Sequence, residues 1–130
     1  MPKIIKSKEQ LRDELSDVSY RVTQEKGTET PFTGKYTYFT ETGIYECICC
    51  GNKLFRSEKK FDSGTGWPSF SDPYTAESVC ESEDNSYNMR RVEIKCKSCD
   101  AHLGHVFDDG PSPSFKRYCI NSVSLGFTRD

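Results

Sequence analysis

Residues 47–55, CICCGNKLF, are answered far along the chain by residues 96–104, CKSCDAHLG. Each stretch opens on a C-x-x-C pair: Cys47 with Cys50, and Cys96 with Cys99. One such turn offers two thiolates to one side of a metal, and two turns close a tetrahedral sulfur site of the kind zinc prefers. Gly51 follows Cys50, as a tight knuckle requires, and Cys49 has the wrong spacing to replace Cys47. Two unrelated redox pairs are the competing reading. A site closed by four thiolates has no open coordination position, so it holds the fold together and does not catalyse. One structural zinc ion is therefore expected.

The rest of the chain fits around this clamp. Residues 7–26 read as helical, with Ser7 and Gln10 in a capping pattern, Leu11 and Leu15 one turn apart, Val18 and Val22 repeating that spacing on a second short helix, and Gly27 ending it. KYTYF (35–39) and GIYEC (43–47) read as strand pieces, and DSGTGWPSFSDP (62–73) as loop. MRRVEIKC (89–96) alternates as a strand, and AHLGHVF (101–107) reads as another, bent near Gly104. DDGPSPS (108–114) is loop, and KRYCINSVSLGF (116–127) reads as the last strand. The expected class is mainly β, antiparallel, with short N-terminal helices, in one domain over 1–130.

Charge and composition exclude several roles. The net charge is -2, so there is no broad basic field for phosphate backbones. The basic run Arg90, Arg91, Lys95 and Lys97 alternates along a strand and reads as a solvated face. MPKIIKSKEQ carries no apolar signal region, and no run reaches the length of a membrane span. A cytoplasmic monomer in a thiol-reducing compartment is expected, without nucleic-acid or membrane partners.

Of the seven cysteines, Cys119 stands outside the paired motifs. In a strand, Arg117, Cys119 and Asn121 share a face, which sets a cation and an amide beside the sulfur. Such neighbours lower a thiol pKa from near 8.5 and make a nucleophile. The same position also suits an inert core cysteine, with Val123, Leu125 and Phe127 continuing its face. Trp67, the only tryptophan, is either a loop anchor or a ligand wall. His102 and His105, the only histidines, read as a zinc ligand, as satisfied core residues, or as proton donors to a reaction at sulfur.

GWPSF, HLGHVFDDGP and RYCIN in this order, with the two C-x-x-C pairs, resemble the methionine-R-sulfoxide reductases. The resemblance implies a zinc-bearing fold of two antiparallel sheets, the β-tent. It implies Cys119 as nucleophile, with His102, His105 and Asn121 around the sulfoxide oxygen. It implies Trp67 as the wall for the substrate methyl, and supporting roles for Arg117 and Asp108. The substrates would be oxidised proteins and peptides bearing methionine-R-sulfoxide, and the free amino acid. The reductant would be thioredoxin or a small thiol. Many relatives carry a resolving cysteine as SGCGWPSF; here the position is Thr65. Cys80, Cys49 or an external thiol must then reset Cys119, with Cys80 the favoured internal candidate. A non-catalytic zinc β-tent that binds a ligand, and a zinc ribbon that binds nucleic acid, are the rival readings.

Overall fold

The computed structural model describes residues 6–85 and 89–129. Two short helices come first: α1 (Lys8–Glu14) and α2 (Asp17–Glu25). The Ser7 hydroxyl caps α1 by accepting from the Gln10 amide, and Ser16 caps α2 in the same way through Ser19. The chain leaves α2 left-handed at Lys26 (φ 54°), one residue before the expected stop at Gly27. Val22 is buried but Val18 is exposed, so the expected Val18–Val22 stripe is not the inner face. That face is Ser19, Tyr20, Val22 and Thr23.

Nine strands follow among the described residues: β1 (Gly43–Cys47), β2 (Lys53–Arg56), β3 (Lys60–Phe61), β4 (Ser69–Phe70), β5 (Val79–Asp84), β6 (Arg91–Cys96), β7 (His102–Phe107), β8 (Arg117–Ile120) and β9 (Leu125–Arg129). They build two antiparallel sheets, β2-β1-β9 and β3-β4-β8-β7-β6-β5. This is the expected class. Aromatic rings fill the space between the sheets: Tyr45 and Phe55 from the small sheet meet Phe70 from the large one at 5.1 and 4.3 Å between centroids.

Three segments depart from the expected pattern. KYTYF is not a strand; it turns twice, which sends Tyr36 against Tyr45 and Phe39 against Phe127. Ser69 and Phe70, expected in a loop, form β4, which is the bridge from β3 to β8. KRYCINSVSLGF is two strands rather than one. A 3-10 turn at Ser122–Ser124 breaks it, and its halves enter different sheets. The shared face drawn from Cys119 through Val123, Leu125 and Phe127 therefore ends at Asn121.

The two C-x-x-C turns sit where the sheets converge. Cys47 ends β1 of the small sheet and Cys96 ends β6 of the large one. The two knuckles are built alike. Gly51 N–H donates to the Cys47 carbonyl and Asp100 N–H to the Cys96 carbonyl, each at 2.8 Å. Gly51 (φ 79°) and Asp100 (φ 62°) take the same left-handed step.

Candidate active site

β8 alternates as its residues demand. Tyr118 and Ile120 enter the core between the sheets, while Arg117 and Cys119 take the opposite face. The register sets Cys119 between Ser69 of β4 and His105 of β7. Gly104 permits this close approach, because a methyl there would collide with the Cys119 carbonyl. Cys119 is half-buried at a cavity of about 100 Å³, whose walls include Trp67, His105, Phe107 and Asn121.

The histidines require a correction to simple alternation. Three residues apart on a regular strand, His102 and His105 would face opposite sides. The register of β6 with β7 shifts between Ile94 and Lys95, leaving Leu103 as an extra residue. Both rings then fall on one face, 5.4 Å apart and edge to face. Only His105 lines the cavity; His102 lies behind it. His105 Nε2 is 2.7 Å from Asp84 Oδ2, and Asp84 also meets Arg91 at 3.4 Å. His102 Nδ1 is 2.7 Å from Glu93 Oε2.

Glu93 is fully buried and is also held by the Ser82 hydroxyl at 2.9 Å and by Lys26 Nζ at 3.4 Å. Burial pushes its carboxyl up, but the hydrogen bonds from His102 and Ser82 outweigh it and hold it below the ordinary value. Burial also holds His102 below its ordinary value, against the pull of Glu93. The pair is therefore a carboxylate accepting from a neutral ring, with the proton assigned to Nδ1.

The neighbours of Cys119 differ from the expectation. Asn121 is near, but its amide serves the backbone: Nδ2 donates to the Leu103 carbonyl and Oδ1 accepts from Glu29 N–H, both at 3.0 Å. Arg117 stacks on Phe107 at 4.4 Å and makes a two-point pair with Asp109. Asp108 is exposed and pairs with Lys116, at 3.3 Å. Burial pushes the Cys119 thiol above its ordinary value, and the Thr65 hydrogen bond and Arg117 only partly offset this. The expected net lowering does not occur: Arg117 pulls the thiol down, Asn121 is committed to the backbone, and desolvation is the larger effect.

Trp67 is both anchor and wall. Its indole N–H donates to the Glu29 carbonyl at 3.0 Å, while the residue lines the cavity. Glu29 is itself buried, and Oε1 accepts from Val123 N–H at 3.0 Å. One segment thus braces Trp67, Asn121 and the turn after β8. Sequence reasoning missed Glu29, Glu93 and Asp84. The available signal was acidic residues inside strands or beside Pro31, but nothing along the chain marks which face a helix will cover.

The structure does not bring Cys80 to Cys119. Cys80 lies on β5, an edge strand, with β6 and β7 between it and β8. Three strand spacings make about 14 Å, against the roughly 7 Å limit between disulfide α-carbons. Cys49 is buried beside the metal knuckle, where it accepts from Gln24 Nε2 at 3.5 Å. Arg91 is no part of a solvated basic face, since it turns into the cavity wall beside Asp84.

Cys47, Cys50, Cys96 and Cys99 come together as four sulfurs within 4.8 Å of one another. Cys47–Cys99 and Cys50–Cys96 are each 3.6 Å apart. The edge of a tetrahedron of zinc–sulfur bonds is about 3.8 Å, so the donor set fits a metal ion.

The SelR domain family matches residues 15–129. A Mus musculus protein named methionine-R-sulfoxide reductase B3, mitochondrial, is 56% identical over 126 residues, covering 97% of this chain and 50% of that protein. Proteins named peptide methionine sulfoxide reductase MsrB are similar too. The one from Hahella chejuensis is 57% identical over 127 residues and the one from Methanosarcina mazei 55% over 128. Each of these alignments covers 98% of this chain and 91% of the relative. The chain thus spans half the length of the mouse protein and most of the other two.

Proposed function

The chain belongs to the methionine-R-sulfoxide reductase B family, and we propose that it reduces the R epimer of methionine sulfoxide in peptides, and as the free amino acid, with Cys119 as nucleophile. The observation that carries this is a half-buried thiol at a small cavity walled by an indole and an imidazole. A module that only binds a ligand has no need of that thiol.

The substrate methyl lies against Trp67 and the sulfoxide oxygen turns toward His105. Only one epimer then offers its sulfur to Cys119. The Cys119 sulfur attacks, the S–O bond to substrate breaks, and oxygen ends on Cys119. Thiol plus sulfoxide gives sulfenic acid plus thioether, so no net proton is consumed. His105 moves the thiol proton to the departing oxygen, held in orientation by Asp84. His102 and Glu93 fix the ring behind it. Asn121 orders the backbone at Leu103 and Glu29 rather than touching substrate.

Regeneration falls to an external thiol, thioredoxin or a small molecule. It condenses with the sulfenic acid to a mixed disulfide and water. A second thiol then releases Cys119 as thiol and leaves the reductant as disulfide. The placement of Cys80 supports this route, and a reducing compartment such as the cytoplasm supplies it. Zinc is the metal we assign to Cys47, Cys50, Cys96 and Cys99, where it supplies no chemistry and joins the two sheets.

The Cys119→Ser variant tests the reading. It should lose reduction of a methionine-R-sulfoxide peptide while folding and binding metal normally; retained activity would overturn the assignment.

A further inference from the structure

Two exposed aromatic rings stand beside the loop that carries Trp67. Phe32 and Tyr38 are 57% and 65% exposed, and their rings stack 6.4 Å apart at 27°. Single exposed apolar residues are ordinary on any surface, but a contiguous apolar patch marks a binding surface. Both rings are held in place. Phe32 takes a left-handed step (φ 66°), which bulky side chains rarely adopt, and its N–H donates to the Gly66 carbonyl at 2.7 Å. The Thr37 hydroxyl donates to the same carbonyl at 3.3 Å, and Lys60 Nζ to the Thr37 carbonyl at 3.0 Å. Tyr36 packs against Tyr45 and Phe39 against Phe127, while Tyr38 between them stays at the surface.

The pair adjoins the Cys119 cavity. A Cβ on Gly66 would lie 2.8 Å from the Phe32 ring, so that ring packs on the backbone one residue before Trp67. Trp67 and Thr28 both line the Cys119 cavity. Thr28 begins the segment that runs on through Phe32 to Tyr38. Tyr38 also lines a second cavity of about 360 Å³, whose walls include Phe39, Tyr45 and Phe61. Aromatic surface therefore continues from the reacting thiol's cavity, across Phe32 and Tyr38, into a larger one.

Size decides what can use it. A drug-sized ligand takes about 300–1,000 Å³, whereas the Cys119 cavity is about 100 Å³. It admits one side chain and no more, so the neighbours of an oxidised methionine in a polypeptide rest outside it. An extended residue spans about 3.3–3.6 Å. A side chain one to three positions away can thus reach the ring that packs beside Trp67.

Resting on the reading of the Cys119 cavity as the sulfoxide site, we propose that Phe32 and Tyr38 determine specificity among polypeptide substrates. They take an aromatic or large apolar side chain flanking the oxidised methionine, and the cavity lined by Tyr38 receives it. Aromatic faces stack on such a side chain. Rings already fixed by Gly66 lose little freedom on binding it. The free amino acid has no flanking residue to place there.

Two pentapeptides with central methionine-R-sulfoxide test this, one flanked by phenylalanine and one by glycine. Dithiothreitol serves as reductant, which removes any effect of a protein reductant. The parent should show kcat/KM about tenfold higher for the phenylalanine peptide, the effect of one good aromatic contact, carried mainly by KM. Phe32→Ala and Tyr38→Ala should each bring that ratio below about threefold, and Tyr38→Phe, which keeps the ring, should hold the parental ratio. Should Phe32→Ala fail to fold, judged by loss of its metal, Tyr38→Ala decides the matter alone. A parental ratio near one overturns the inference, as do alanine variants that keep the parental ratio or a Tyr38→Phe variant that loses it. Should the parent reduce neither peptide, the reductase reading fails. Titration of Trp67 fluorescence with the same peptides then decides the inference: tighter binding of the phenylalanine peptide upholds it, and equal binding overturns it.

Discussion

Replacing Glu93 with alanine removes a fully buried carboxylate and its hydrogen bonds. Glu93 is fully buried, and its two oxygens meet Ser82, His102 and Lys26. Lys26 is largely exposed and contributes little. His102 is a buried donor that loses its acceptor, at about 1–3 kcal/mol, and the half-buried Ser82 adds about 1 kcal/mol. A domain of this size has roughly 5–15 kcal/mol in all. Glu93→Ala should therefore lose a third or more of the stability, read as a lower urea midpoint with little change in slope. Glu93→Gln keeps an acceptor and loses the charge, so it should cost about 1 kcal/mol.

The pH dependence has a definite sign. Glu93 is held below its ordinary value of 4.5 in the folded state. Its contribution is therefore present above that value and lost as pH falls through the depressed one. The gap between parent and Glu93→Gln should be full at neutral pH and close in acid. An alanine variant that unfolds at the parental urea midpoint at neutral pH would refute the argument that this buried carboxylate is satisfied and stabilising.

Other expectations are briefer. Asn121→Ala leaves the buried Glu29 amide without its acceptor and removes one of two donors from the Leu103 carbonyl, so it should destabilise by about 1–3 kcal/mol; thermal melts check this. Removing the metal with a chelator, or Cys96→Ser, should unfold the chain, because structural zinc contributes on the order of 10 kcal/mol; metal content and circular dichroism should fall together. Burial lifts the Cys119 thiol above 9.0, so its alkylation rate should still be climbing past that pH, while a plateau near neutrality would contradict the shift.

How far the chain could be read follows from where its information is local. The C-x-x-C turns, GIYEC, MRRVEIKC and the alternation of Arg117 and Cys119 against Tyr118 and Ile120 depend on neighbours in sequence. Each formed as its spacing requires. The break at Ser122–Ser124 did not announce itself, because NSVS lies between two apolar alternations and only the choice of sheet separates them. The extra residue at Leu103 is set by pairing with β6, and without it the two histidines would have been assigned opposite faces. Glu93 was not singled out, since along the chain it only alternates with Val92 and Ile94. Tertiary packing buries it against His102 and Ser82 instead. Thr65 drew notice for the cysteine it replaces, yet the hydrogen bond its hydroxyl makes with Ser63, at 2.8 Å, belongs to the folded loop and not to any spacing.

The central claim is that Cys119 takes the oxygen from methionine-R-sulfoxide. A single turnover without reductant tests it directly, with the thioether product quantified and the protein trapped by dimedone before peptide mapping. One equivalent of methionine from the R epimer, none from the S epimer, and the dimedone adduct at Cys119 alone is the predicted result. Methionine formed without modification of Cys119, or formed equally from both epimers, would contradict it.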